Sequence, residues 1–126
     1  MHWRVILAAL ILGALLAGGL LSLHQVARLC DRVSQPLEQL SAQLLHRQTG
    51  EKALLERASA EWAQALPWLS SLISHDRLDG ITGALFRAEG FLEAEEPGEA
   101  LAELWDALRQ LNLLRSYDLP TVQSLL

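Results

Sequence analysis

The strongest constraint on the fold of this chain is an apolar run close to its beginning. Residues 5–23 read VILAALILGALLAGGLLSL, and these nineteen residues carry no charge and one hydroxyl group. As an α-helix the run is about 28 Å long, close to the ~30 Å thickness of the hydrocarbon core of a bilayer. A helix also satisfies its backbone N–H and C=O groups internally, as lipid demands. The run therefore predicts a transmembrane helix, with the lipid bilayer as a partner.

The apolar run has two interpretations, a signal-anchor that is retained and a signal peptide that is removed. Small residues at 17–19, Ala-Gly-Gly, offer a marginal cleavage site, but the run continues beyond them to Leu23. We therefore expect a retained anchor, and a secreted helical protein is the alternative. The favoured orientation has a cytoplasmic N-terminus, with Trp3 at the membrane interface, and an external C-terminal domain.

The charge of the remaining residues limits the partners of the chain. From His24 onward there are nine basic and fifteen acidic residues, which gives a net charge near −6. A surface of that sign is a poor partner for nucleic acid and for anionic lipid headgroups. Cys30 is the single cysteine, so no disulfide forms within the chain and the fold depends on packing.

Apolar residues recur every three or four positions beyond the anchor, which predicts an all-α fold. We expect an N-terminal transmembrane helix that continues into a small antiparallel helical bundle. Three parts are predicted: the anchor at 1–23, an amphipathic juxtamembrane helix at 24–48 that kinks or restarts at Pro36, and the bundle at 49–126. The juxtamembrane helix is expected to lie against the bundle.

Turn residues and prolines mark the helices that we predict within the bundle. The second helix should cover 51–66 and be kinked or stopped by Pro67, because proline lacks the N–H that continues a helix. The third should cover 74–94. The fourth should run from 97 to about 116, where Pro120 opposes its extension and leaves an apolar tail.

Three sets of residues are candidate contacts with other proteins. The juxtamembrane helix has an apolar seam formed by Val26, Cys30, Val33, Leu37, Leu40 and Leu44. If the chain's own helices leave this seam uncovered, it is a binding site for a protein partner or a second copy. Trp68 is a further candidate contact. Ala9, Gly13 and Ala17 are spaced four apart, which allows close packing of two transmembrane helices, although an Ala/Gly-rich span produces such spacing by chance.

A compact polar cluster, HDRLD, occupies residues 75–79. His75 and Asp79 are four apart and so share a helix face, where they could ligate a metal ion or simply hydrogen-bond to each other. The sequence names no third ligand. It also contains no phosphate-binding glycine loop, CxxC pair or HExxH motif. We therefore expect no enzymatic activity and no cofactor.

Taken in order, these features resemble a bacterial family of small single-span membrane proteins, the domain-of-unknown-function family 4363. The residues that carry the resemblance are Trp62, Trp68, His75, Asp79, Leu85, Leu92, Ala100, Leu101, Leu104 and Pro120. The resemblance implies anchoring in a bacterial cell membrane and no established activity. We expect a membrane-anchored module for protein–protein interaction; the alternative is a metal- or ligand-sensing domain centred on His75 and Asp79.

Overall fold

The computed structural model describes the backbone of residues 2–125 and the side chains of residues 2–116. In this part of the chain the backbone forms four α-helices and no strand. They are α1 (His2–Leu45), α2 (Lys52–Leu69), α3 (His75–Glu93) and α4 (Pro97–Leu125). Short turns join them, and the prediction of an all-α bundle that follows a long apolar helix is confirmed.

α1 is a single helix of 44 residues, so no loop separates the apolar run from the seam that follows it. Residues 2–21 are exposed, whereas one side of the helix is buried from Val26 onward. Pro36 lies inside the helix and is buried. Its missing N–H removes the hydrogen bond to the carbonyl of Arg32, but the helix continues without a restart.

Two helices extend further than their prolines predict. α2 continues through Pro67, and α4 continues through Pro120 to Leu125. The predicted ends near residues 66 and 116 are therefore wrong, and the predicted tail after Pro120 is the last part of α4. A proline removes one hydrogen bond, and the bonds beyond it can still close. After Pro67, the N–H of Ser70 donates to the carbonyl of Leu66 at 2.9 Å.

Polar contacts show that neighbouring helices run in opposite directions. The backbone N–H of Glu51, at the start of α2, donates to the side chain of Gln43 near the end of α1 at 2.9 Å. Arg32, three turns earlier in α1, instead pairs with Glu61, further along α2, at 3.5 Å. Among the described residues α1 and α3 each contact both α2 and α4, and no contact joins opposite corners. The four helices therefore enclose one core as an antiparallel bundle.

α3 and α4 approach each other closely at Gly80. The side-chain amide of Gln110 donates to the carbonyl of Gly80 at 3.4 Å. A Cβ on Gly80 would meet the side-chain amide oxygen of Gln110, so a larger residue here would displace that amide. Asp106 accepts hydrogen bonds from Gln110 and Arg109, and the Arg109 bond is the main reason why the pKa of Asp106 is lowered.

The apolar seam of α1 lies in the core of the bundle. Its six members, Val26, Cys30, Val33, Leu37, Leu40 and Leu44, are between 0% and 8% exposed. α2 and α4 pack against α1 and cover this side of it. The seam is therefore a core face, and the condition under which we predicted it to bind a partner is not met, because the chain's own helices already remove it from water.

Trp62 is the largest side chain in the core and joins α2 to α3. It is 2% exposed, and its indole N–H donates to the hydroxyl of Thr82 at 2.8 Å. A buried indole needs such an acceptor, because its N–H has lost contact with water. Trp62 is therefore a core residue that holds α2 and α3 together.

Substitution of the seam should lower the stability of the bundle. Leu40→Ala removes a fully buried side chain and is expected to reduce the free energy of unfolding by ~2–5 kcal/mol. The matched control is Leu45→Ala on the same helix, where the side chain is 58% exposed and the expected change is within ~0.5 kcal/mol. Urea unfolding of the full chain in neutral detergent, followed by circular dichroism, gives both values. Equal small effects would contradict the assignment of the seam to the core.

Candidate functional site

The first half of α1 projects from the bundle as an exposed apolar helix. It is long and apolar enough to cross a membrane, and none of the residues in its most apolar 18-residue window is buried. The exposed side chains include Leu10 at 65% and Leu15 at 69%. Such a surface is costly in water, at roughly 25 cal/mol for each Å² of apolar area. A hydrophobic environment around this half of α1 would remove that cost.

The small residues of the exposed half lie on an open surface. Ala9, Gly13 and Ala17 are all exposed, and a Cβ built on Gly13 would meet no other atom within 4 Å. Close approach of a second helix is therefore sterically possible along this stripe.

The base of the bundle is the end from which the exposed half of α1 leaves. Because the helices alternate in direction, α2 ends at this base and α3 begins there. An open groove of about 480 Å³ lies here, which we call the basal groove. Its lining residues are Leu21, His24, Gln25, Arg28, Arg32 and Trp68. The groove thus joins the end of the apolar run to the end of α2.

Trp68 reaches the basal groove because α2 continues through Pro67. The extra turn of helix places Trp68 at the base, half-buried against the core and with its remaining surface in the groove. The sequence predicted Trp68 as a contact residue together with the seam of α1. The structure separates the two, since the seam is in the core and Trp68 lines the groove.

The ionisable side chains that line the basal groove are all basic. Arg32 forms an ion pair with Glu61, whose carboxylate lies 3.5 Å from the Nε atom of Arg32. Arg28 has no ion-pair or hydrogen-bond partner among the described residues. On a neighbouring face, Asp31 is paired with Arg115 of α4. Glu61 and Asp31 are therefore both paired with an arginine, whereas Arg28 is available to an anionic ligand.

The opposite end of the bundle has the reverse charge. A groove there is lined by the α1–α2 turn and the α3–α4 turn, and its residues include Glu93, Glu95 and Glu96 with the single cation Lys52. A second, smaller groove between α2 and α3 adds Glu56 and Glu89. The negative net charge of the chain is thus concentrated far from the exposed half of α1.

The structure gives little support to the predicted metal site. His75 and Asp79 lie in the first turns of α3 and both are exposed. No hydrogen bond joins them among the described residues, and no group of three or more His, Cys, Asp or Glu side chains in that part could hold a metal ion. Two exposed ligands hold a cation weakly, because water completes the coordination shell. Metal binding by this pair stays a prediction.

The basal groove was missed by sequence reasoning, although a signal for it exists. His24, Arg28 and Arg32 follow the apolar run at steps of four residues, which places them on one side of α1. Trp68 is forty residues away from Arg28 along the chain, and only the antiparallel return of α2 brings the two together. The basic side of α1 could have been predicted from the sequence, but the groove could be found only from the structure.

Comparison with known proteins returns one family. The family model described as Domain of unknown function (DUF4363) matches residues 20–114, about three quarters of the chain. The matched region begins at the end of the apolar run and includes the whole of the basal groove. No curated protein and no solved structure matches the chain.

Proposed function

The chain belongs to the DUF4363 family, and we propose that it is a single-pass membrane protein that serves as a module for protein–protein interaction. The observation that supports the membrane anchoring best is the continuity of α1, which has an exposed apolar half and a half buried in the bundle. Because no loop intervenes, a bilayer around the first half fixes the height and tilt of the bundle. The bundle then acts at the membrane surface, and we assign no catalytic step to it.

We place the protein in a bacterial cell membrane, with the N-terminus in the cytoplasm and the bundle outside. Trp3 is 64% exposed at one end of the apolar run, where an indole suits the membrane interface. Charge contributes little to this choice, because the arginines near the apolar run differ by only one, with Arg4 before it and Arg28 and Arg32 after it.

The partner that the exposed surface favours is a second copy of the chain. The seam of α1 is occupied by α2 and α4, so it is not free to bind. The stripe of Ala9, Gly13 and Ala17 is open, and small residues at this spacing let two helices pack within the bilayer.

The anchoring has a direct test. The full chain is expected to stay in the membrane pellet after an alkaline carbonate wash and to be released by detergent, because removing the apolar run from lipid exposes it to water. The intact mass should include residues 5–23. A carbonate-soluble product whose mass lacks those residues would support the alternative of a secreted helical protein and would contradict the anchor.

Self-association is tested by substituting a large side chain for a small one in the stripe of Ala9, Gly13 and Ala17. Gly13→Leu should weaken dimerisation in lipid vesicles about tenfold, or by ~1.4 kcal/mol, because the helices can no longer approach closely. Energy transfer between donor-labelled and acceptor-labelled chains measures this. Gly19→Leu is the matched control, since Gly19 is equally open but lies off the stripe. Equal effects of the two substitutions, or none, would exclude this dimer.

A further inference from the structure

We propose that the basal groove binds the phosphate headgroup of an anionic phospholipid. The proposal rests on the membrane anchoring proposed above and adds a ligand to it. The groove combines an apolar end at Leu21, the guanidinium groups of Arg28 and Arg32, and the indole of Trp68. An apolar side chain suits the acyl chains of a lipid, a guanidinium group suits the phosphate, and an indole suits the interfacial layer.

The height of the groove matches that of a lipid headgroup. Arg28 is five residues beyond Leu23, the end of the apolar run, which is about 8 Å along the helix axis. The polar layer on each side of a bilayer is about 5–8 Å thick. With residues 5–23 in the hydrocarbon, Arg28 therefore lies at the outer edge of the polar layer, from which its long side chain can reach back to the phosphates, and Leu21 lies among the acyl chains.

The charges of the lining residues favour an anion. Arg28 has no ion-pair partner among the described residues, and its planar guanidinium can donate two parallel hydrogen bonds to a phosphate. Arg32 can add a further donor beside its contact with Glu61, because its side chain is 54% exposed. No carboxylate lines the groove, and the indole of Trp68 is the one lining group that could contact the cation of choline, so the two guanidinium groups favour a headgroup with net negative charge.

The net charge of −5 does not oppose this binding, because the charge is unevenly distributed. The glutamates of the opposite groove lie near the end of α3, whereas His75, the first residue of α3, is at the base. The eighteen helical steps from His75 to Glu93 span about 27 Å, more than three Debye lengths of ~8 Å at physiological ionic strength. Asp76 and Asp79 are at the base but do not line the groove.

The experiment compares lipids bound to the full chain in neutral detergent. The protein is equilibrated with equal amounts of phosphatidylglycerol and phosphatidylcholine, and native mass spectrometry counts the lipids retained. We expect one phosphatidylglycerol per chain, preferred at least fivefold over phosphatidylcholine. Arg28→Gln should remove the preference and Arg28→Lys should retain part of it, because lysine keeps the charge but loses the bidentate geometry. Circular dichroism checks that each variant is folded.

Arg57→Gln is the matched control. Arg57 is an exposed arginine on α2, three turns before Trp68, and has no ion-pair partner among the described residues. The lipid preference should be unchanged in this variant. An equal loss in Arg57→Gln and Arg28→Gln would reduce the effect to general surface charge and overturn the groove as the site.

Competition separates the possible sources of the anion. Inorganic phosphate at the same concentration should not displace the lipid, since it lacks the apolar part that Leu21 would contact. Displacement by phosphate or by an acidic peptide would show that the groove takes a soluble anion or a protein segment, and would overturn the lipid assignment. Failure of the anchoring gives a different result, because the chain is then carbonate-soluble whatever its lipid preference.

Discussion

Burial of the α1 seam against α2 and α4 is the interaction on which the rest of the structure depends. Val33, Leu37 and Leu40 of the seam are 0% exposed, and they belong to the same helix whose first half has no buried residue in its apolar window. One continuous helix therefore has an exposed apolar half and a half that is buried in the bundle. Its second half is an ordinary core element of a four-helix bundle, and its first half has a surface suited to lipid. The bundle cannot be moved independently of the apolar half unless α1 itself is broken.

This continuity sets the position of every other feature relative to the proposed membrane plane. The turn between α2 and α3 and the groove containing Trp68 are at the base, and the acidic turn between α3 and α4 is at the far end. A basic base and an acidic far end reduce repulsion between the bundle and an anionic bilayer surface, because charges beyond a Debye length are largely screened. The fold thereby reconciles an acidic chain with a location at the membrane.

The periodicity of apolar residues was sufficient to predict the helices, since steps of three and four are specific to helices, and the short turns between them predicted the antiparallel arrangement. The periodicity was insufficient to predict where α2 and α4 end. Pro36, Pro67 and Pro120 all lie within helices, because the loss of one hydrogen bond is offset by those on either side and, at the buried Pro36, by core packing. The seam shows a second limit: an apolar stripe is the same whether it covers a core or binds a partner. The packing of α2 and α4 against the seam shows that it belongs to the core.

Hydrogen exchange across the junction of the two halves of α1 tests the central claim most directly. The full chain in lipid nanodiscs is labelled with deuterium, and the amides of residues 18–30 are followed by mass spectrometry. A single helix that passes from lipid into the bundle core predicts slow exchange without a break from the apolar run to Val33. Rapid exchange between Gly18 and Val26, with protection on both sides, would reveal a hinge and contradict the claim that the bilayer fixes the bundle.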